Sequence, residues 1–374
     1  MGIELADIFR RYGKAYRLKY AARIPFGHLK AMRAIEQCRT EALGGQIYRC
    51  SDCNHLQYSY HSCRNRHCPK CQNENAQLWL EKQQGLLLPV PYFLLTFTLP
   101  AGFNEVARSH QSLIYDLIFK ASAAATQQLA RDLRFIGGQI GMVGVLHTWG
   151  RNLAYHPHIH YLVPAGGLAS DGKIWIPARH NFLLPVRALS RIFRGKLRQA
   201  LRATDCYNRI PAKVWEQEWV VHCEPVGSGL GALKYLAPYI FRVAISNNRI
   251  LKLENGCVTF RYRDTDTGQE RRCTLGAEDF IHRFLQHVLP KGFVKVRYYG
   301  LFSPGFRKPL ATLRQELEDA TSRFSSQAEN FKDKPPSVTP QTELAPSSHF
   351  PRCPVCGHPM QPGPLISSSA LSPP

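Results

Sequence analysis

The stretch QIGMVGVLHTWGRNLAYHPHIHYLVPAGG, residues 139–167, decides how the middle of this chain folds. Its first part, residues 139–150, indicates an apolar strand, and a short turn leads to a second strand with histidines at alternate positions. Because side chains two residues apart on a strand point to the same face, His156, His158 and His160 are predicted to share one face. Such imidazoles form a natural metal site, and the alternative is a His-rich strand with only a structural role.

The composition indicates a folded protein with a polyanionic partner. The chain has 374 residues, 44% of them hydrophobic, and its 48 Lys and Arg against 27 Asp and Glu give a formal net charge of +21. This excess favours nucleic acid, with an anionic membrane surface as second choice. The membrane is disfavoured because the sequence has no run of about 20 apolar residues and no signal-peptide core. We therefore predict a soluble intracellular protein.

A block rich in cysteine, residues 38–71, gives the strongest local signal. In a cytosolic protein such clustering favours metal over disulfides. Two Cys-x2-Cys motifs stand in the block: Cys50 with Cys53, and Cys68 with Cys71. Together they predict one tetrahedral structural Zn²⁺ site, whose chelation unfolds this region first. The residues left over, which either supply a second site or only pack, are Cys38, His55, His61, Cys63 and His67.

Two other segments carry weaker signals. The lone CPVCG at 353–357 cannot fill a zinc site by itself, and His349, His358 or a leftover N-terminal cysteine are the alternatives for completing it. Residues 187–203 predict an amphipathic helix whose arginine-rich face favours contact with phosphate over mere solubility. From about residue 322 the composition shifts to Ser, Pro, Gln and Thr, which indicates a flexible tail.

Tyr235 and Tyr239 lie four residues apart in LGALKYLAPYIFRVAISNNRI, residues 230–250. On a helix they occupy one face, and core packing of two aromatic rings is the plain interpretation. The groups of this segment that can contact DNA phosphate are Lys234, Arg242 and Arg249. The segment by itself leaves both roles open.

Four of these pieces follow one order along the chain: SCRNRHCPKC, HTWG…HPHIHYLVPAGG, YLAPYIFRVAISNNRI and HVLPKGFVKVRYYG. Together they resemble the rolling-circle transposases of the insertion sequence ninety-one family, within the HUH endonuclease superfamily, over roughly residues 20–305. The resemblance implies that His158 and His160 are metal ligands. It also implies that Tyr235 and Tyr239 are paired nucleophiles.

The third metal ligand varies across that superfamily. Our candidate is His147, because the predicted hairpin brings it beside the histidine strand, and His156 is the competitor. Imidazole alone indicates Zn, Ni or Cu, whereas the resemblance implies Mg²⁺ or Mn²⁺. A cation on the attacked phosphate offsets the charge that builds during tyrosine attack. The implied product is a 5′-phosphotyrosine with a free 3′-OH, so strand transfer needs no ATP.

The resemblance implies an α+β fold. Its parts are an HUH-endonuclease-like antiparallel sheet flanked by helices, an N-terminal zinc-binding helical and ribbon domain, and a disordered C-terminal tail. The predicted boundaries are residues 1–75 for the zinc-binding domain, 76–320 for the tyrosine transposase domain and 321–374 for the tail. The implied partner is DNA, as single-stranded or hairpin element ends and target, at the nucleoid in the bacterial cytoplasm. No Walker motif is present in the sequence, so host replication or helicase proteins are expected to unwind the strands.

Two other classes of function compete with a transposase. One is a non-catalytic zinc-ribbon DNA-binding regulator with purely structural histidines. The other is a metal-dependent nuclease that uses activated water while the tyrosines only pack. A covalent protein–DNA adduct separates tyrosine attack from both.

Overall fold

The computed structural model describes residues 2–71, 79, 83, 85–228, 231, 240, 243–264, 267–328 and 350–368. Within these ranges the α-helices are α1 (Leu5–Tyr20), α2 (Phe26–Gln37), α3 (Asn104–Ser109), α4 (Gln111–Ala130), α5 (Val186–Arg202), α6 (Lys213–Glu216), α7 (Ala277–Leu285) and α8 (Arg307–Ala328). The strands are β1 (Gly45–Cys50), β2 (Leu56–Tyr60), β3 (Pro91–Thr98), β4 (Gly141–Trp149), β5 (Tyr155–Pro164), β6 (Gly166–Leu168), β7 (Trp175–Pro177), β8 (Val221–Ser228), β9 (Ile250–Glu254), β10 (Cys257–Arg263), β11 (Glu270–Gly276), β12 (Val296–Gly300) and β13 (Met360–Ile366). The strand pairings in this part of the chain are antiparallel, and the predicted α+β class is confirmed. No helix in the described ranges is long and apolar enough to cross a membrane.

The largest sheet joins five strands in the order β12-β4-β5-β3-β8. Strand β4 is buried along its whole length, because strands flank it and both faces of the sheet are covered. Met142 and Leu146 lie in the core on one face, with the apolar sides of α4 and α5. Val143 and Val145 lie in the core on the other face, with residues from α8. The two-residue period of a strand therefore carries His147, the next odd position, to the face that α8 covers.

Helix α5 covers the first face and contains most of the basic segment 187–203. Its buried positions are Leu189, Phe193, Leu197 and Leu201, each four residues from the next. The ring of Phe193 meets that of Phe97 edge to face, with centroids 5.1 Å apart. The predicted amphipathic helix is present, with its apolar face on the sheet.

Helices α1, α2 and α7 share a second core with the β11-β10-β9 sheet. Phe9 of α1 meets Phe284 of α7 edge to face, with ring centroids 5.5 Å apart. Trp149 and Leu153, from the end of the β4–β5 hairpin, also reach this core. The packing therefore crosses the boundary that the sequence predicts at residue 75, since the N-terminal helices bury their apolar faces against much later residues.

A third sheet, β13-β1-β2, joins the two ends of the chain. Strand β13 pairs antiparallel with β1, and Met360 lies opposite Cys50. Residues 350–368 thus form structure in a region for which the sequence predicts a flexible tail. Composition averages over the whole segment, and it hides the short apolar and cysteine-bearing stretch that is buried here.

Candidate active site and metal centres

Three imidazoles converge on one face of the central sheet. The register of β4 and β5 places His147 opposite His158 and Val145 opposite His160. The ring centroids are 5.4 Å apart for His147 and His158, 5.1 Å for His147 and His160, and 4.7 Å for His158 and His160. One nitrogen from each ring lies within 4.8 Å of the others. The hairpin thus brings together all three histidines that the sequence predicts as ligands.

Neighbouring groups fix the orientation of these rings. The Nδ1 of His158 donates to the carbonyl oxygen of His156 at 2.7 Å, which fixes the tautomer with the lone pair on Nε2. The Nδ1 of His160 is 2.9 Å from Oγ1 of Thr96 on the adjacent strand. His147 stacks on Trp149, with centroids 4.6 Å apart. Since His147 and His160 are buried and His158 is only half-buried, the cluster is open on the His158 side.

His156, the competing third ligand, does not join the cluster. The pairing of β4 with β5 shifts register between His147 and Trp149, so that Trp149 pairs with Tyr155. His156 is exposed, its carbonyl accepts the hydrogen bond from His158, and its ring centroid lies 5.3 Å from that of His158, but its ring nitrogens are not among the ligand atoms that converge.

His287 supports the strand that carries the cluster. Its ring lies between Trp149 and Tyr155, at centroid distances of 6.0 and 6.2 Å. One ring nitrogen donates to the carbonyl of Leu153 at 3.2 Å, and the other is 3.2 Å from Oγ1 of Thr148. Burial lowers the pKa of His287 to about 4, so the ring is neutral around pH 7.

Lys295 lies beside the cluster, and sequence reasoning did not single it out. Its ammonium lies over the ring of Trp149, 5.2 Å from the centroid, and donates to the carbonyl of Ile240 at 2.9 Å. Burial lowers the pKa of Lys295 to about 7. The signal available in the sequence was the position of Lys295 within KVRYY, which does not reveal that the side chain is buried.

Both predicted nucleophiles, Tyr235 and Tyr239, lie outside the described residues, as do Lys234 and Arg242. The next described residue after them, Ile240, is buried in the core on the same sheet face as the histidines.

A first tetracysteine cluster lies inside the second core and consists of Cys38, Cys63, Cys68 and Cys71. The Sγ of Cys71 is 3.5 Å from that of Cys38 and 3.6 Å from that of Cys63. Hydrogen bonding from Cys63 and Cys68 lowers the pKa of Cys38, which favours the thiolate that a metal requires.

A second tetracysteine cluster consists of Cys50, Cys53, Cys353 and Cys356. The predicted single site, closed by the two N-terminal Cys-x2-Cys motifs, is therefore wrong in its grouping. The motif of Cys50 lies at the β1–β2 turn beside β13, whereas the motif at 68–71 lies against the end of α2. Because the two Cys-x2-Cys motifs lie at different places in the fold, each one lies beside a different pair of cysteines.

The remaining histidines of the block do not join either cluster. His67 is half-buried, its Nε2 accepts from the backbone N–H of Leu289 at 3.3 Å, and desolvation lowers its pKa to about 3. The carbonyl of His55 accepts from the backbone N–H of Cys50. The contact of its ring with the backbone of Leu289 gives His67 a structural role.

Of the three predicted DNA-contacting residues, Arg249 lies within the described part of the chain, and nearby residues hold its side chain. Its guanidinium donates to the carbonyl oxygens of Arg151 and Arg261 and lies over Phe260, 5.9 Å from the ring centroid. On α5, Arg194 donates to the carbonyl of Gln217, so this part of the basic face is also held by intramolecular contacts.

A cleft of about 680 Å³ opens between α2 and residues 286–292, and sequence reasoning missed it. Its lining is basic and carries one exposed aromatic ring; it includes Phe26, His28, Lys30, Arg66, Arg108 and Lys291. Arg108 lies over the ring of Tyr155, 5.5 Å from its centroid, at the start of the histidine strand. The cleft therefore reaches the end of the sheet where the histidines lie.

Comparison with known proteins bears on both the central sheet and the cysteine clusters. Residues 141–309 match the family model described as a putative transposase, and residues 8–99 match the model described as a transposase zinc-binding domain. The chain is 42% identical over 327 residues to the putative transposase y4qJ of Sinorhizobium fredii, covering 82% of each chain. It is 29% identical over 283 residues to the transposase for insertion sequence element IS801 of Pseudomonas savastanoi pv. phaseolicola, covering 71% of this chain and 68% of the relative. No solved structure matches.

Proposed function

Because this chain belongs to the insertion sequence ninety-one family of transposases, we propose that it nicks and rejoins single-stranded DNA at element ends by metal-assisted tyrosine attack. The observation that carries the proposal is the convergence of His147, His158 and His160 on one face of the central sheet. Three imidazoles with one open side suit a cation that must also take a phosphate oxygen and water.

The histidines fit a divalent cation without rearrangement of the backbone. Their nitrogen atoms already lie within 4.8 Å of one another, and the contact of His158 with a carbonyl sets its tautomer. When Mg²⁺ or Mn²⁺ is bound, it supplies positive charge to a non-bridging oxygen of the scissile phosphate. The role of the protein is to hold three imidazoles on buried strands and to leave the half-buried side of His158 open to DNA.

The nucleophiles in this proposal are Tyr235 and Tyr239. The tyrosine hydroxyl gives up its proton and its oxygen forms a bond to phosphorus, while the bond from phosphorus to the 3′-oxygen breaks and the 3′-oxygen takes up a proton. The products are a 5′-phosphotyrosine and a free 3′-OH, and reversal of the step on another strand rejoins DNA. Ile240, which follows Tyr239 in the chain, is joined to the histidine cluster by a series of contacts through Lys295 and Trp149.

The basic cleft is the proposed path for the single strand. Arg66 and Arg108 lie on its wall with the exposed ring of Phe26, a mixture that suits phosphates and unstacked bases. Since Arg108 contacts Tyr155 at the start of the histidine strand, a strand in the cleft would pass the end of the hairpin that carries the proposed metal site. The zinc-binding domain, which contributes α2 to this cleft, is thus proposed to help hold DNA.

Cleavage of single-stranded element ends with Mn²⁺ tests the proposal. Replacing both nucleophiles, Tyr235→Phe with Tyr239→Phe, should abolish cleavage and the protein–DNA adduct on a denaturing gel. Tyr262→Phe on β10 is the matched control and should cut like the parent. If the double variant cuts as well as the parent, or if cleavage releases 5′-phosphate without an adduct, the proposal fails. No cleavage by any form would favour the non-catalytic DNA-binding regulator.

A further inference from the structure

The second tetracysteine cluster draws its members from the two ends of the chain. The Sγ atoms of Cys50 and Cys356 are 3.4 Å apart, and Cys53 lies 3.5 Å from both Cys353 and Cys356. A disulfide requires about 2.05 Å between sulfurs. Four thiolates at about 2.3 Å from a tetrahedral Zn²⁺ lie about 3.8 Å from one another, which is close to these separations.

The two turns that carry these cysteines have the same backbone hydrogen bonds. In the first, the N–H of Asn54 donates to the carbonyl of Cys50, and the N–H of Cys50 donates to the carbonyl of His55. In the second, the N–H of Gly357 donates to the carbonyl of Cys353, which in turn donates its N–H to the carbonyl of His358. The spacings from the first cysteine, four and five residues, are identical.

The residue four positions after the first cysteine adopts a positive φ in both turns: 59° for Asn54 and 77° for Gly357. Asparagine and glycine are the residues that tolerate this conformation best. The matched geometry makes the CPVCG segment the structural partner of the N-terminal motif, rather than a lone pair of cysteines.

We propose that Cys50, Cys53, Cys353 and Cys356 bind a second structural Zn²⁺ that fastens the C-terminal segment to the β1–β2 hairpin. The pairing of β13 with β1 continues from this site and buries Met360 beside Cys50. The cluster at Cys38 draws every ligand from residues 38–71, so it has no need of the C-terminal segment. The two sites therefore differ in how much of the chain each requires.

The zinc content of the full-length reduced protein tests this assignment. Elemental analysis and native mass spectrometry should find two zinc ions per chain. The pair Cys353→Ser with Cys356→Ser, and separately Cys50→Ser with Cys53→Ser, should each lose one ion and keep the other. The pair Cys257→Ser with Cys273→Ser, which lies outside both clusters, is the control and should keep two.

Retention of two ions by the Cys353→Ser, Cys356→Ser variant would overturn the assignment, as would one ion in the parent.

A second measurement guards against misfolding of these variants. With a protease site inserted between residues 329 and 349 of the otherwise unchanged chain, the cleaved C-terminal peptide should stay bound until zinc is chelated. Release of the peptide while the protein still holds two ions would also overturn the assignment. Neither readout involves DNA cleavage, so both are independent of the proposed transposase reaction.

Discussion

The histidine cluster and the two cysteine clusters are built in different ways. The histidines lie on adjacent strands of the central sheet, and the backbone hydrogen bonds of β4 and β5 position them. The cysteines lie on turns and loops, and the second cluster joins residues about 300 positions apart. A site on a packed sheet keeps its geometry without an ion, whereas a site made of turns uses the ion to hold those turns together. Loss of metal should therefore have different consequences at the two kinds of site.

Removal of zinc should have the largest effect, which is a loss of folded structure around the cysteine clusters. Structural zinc contributes about 10–16 kcal/mol of apparent binding energy in small zinc-binding domains. Chelation should therefore remove protection from amide exchange in residues 38–71 and 350–368. It should also loosen α1, α2 and α7, because they share the core that contains the first cysteine cluster. Hydrogen exchange read by mass spectrometry measures all of these segments together.

Strands β4 and β5 should keep their protection in the same experiment. The double variant His158→Ala with His160→Ala, which leaves every cysteine in place, serves as the control and should stay protected throughout. Loss of protection in β4 and β5 on zinc removal would break the distinction between the two kinds of site.

Replacement of one histidine ligand should have the next largest effect, which is a loss of cleavage rate. His158→Ala should slow cleavage by about a thousandfold, or about 4 kcal/mol of barrier, because the charge on the attacked phosphate loses its stabilisation. The melting temperature should change little, since His158 is only half-buried. Single-turnover cleavage with Mn²⁺ gives the rate. His156→Ala is the matched control, and a comparable loss in that variant would contradict the choice of ligands.

The closeness of His147 to the histidine strand could be predicted from the sequence because the information for it is local. Alternation along the second strand and a short turn suffice to bring His147 beside His158, and the structure has this register. Spacing alone does not show that His156 stays outside the group of ligand atoms, since its ring lies only 5.3 Å from that of His158. The grouping of the cysteines was not predictable for a different reason. A Cys-x2-Cys motif specifies its own turn, but its partner is chosen by strand pairing across the whole chain, here between Cys50 and Met360.

Acidification should weaken the support of the histidine strand. The pKa of His287 is about 4 in the folded protein, below the ordinary value of about 6.5, so the unfolded chain binds the additional proton between these pH values. The stability is fully present above pH 6.5 and is lost as the pH falls towards 4, by about 3 kcal/mol for this residue.

Chemical denaturation between pH 4 and 7 measures this loss. His287→Gln should flatten the pH dependence relative to the parent, while the exposed His180→Gln should leave it unchanged. An equally steep dependence in His287→Gln would show that the proton is taken up elsewhere.

The smallest expected effect concerns a hydrogen bond to a ligand. Thr96→Val removes the hydroxyl 2.9 Å from Nδ1 of His160 with little change in shape. Such outer partners are worth about ten- to a hundredfold in metal affinity. Titration of cleavage with Mn²⁺ should therefore show a higher half-saturating concentration at an unchanged maximal rate. Thr259→Val, on the β10 sheet, is the control. An unaltered titration for Thr96→Val would show that the Thr96 hydroxyl does not contribute to metal affinity.

Mapping of the covalent adduct tests directly whether Tyr235 or Tyr239 attacks the DNA. Single-stranded oligonucleotides from the ends of the element are incubated with the protein and Mn²⁺, and the digested complex is sequenced by mass spectrometry. We expect a nucleotide attached through a 5′-phosphate to Tyr235 or Tyr239. Cleaved DNA without any adduct, or an adduct on another tyrosine such as Tyr298, would contradict it.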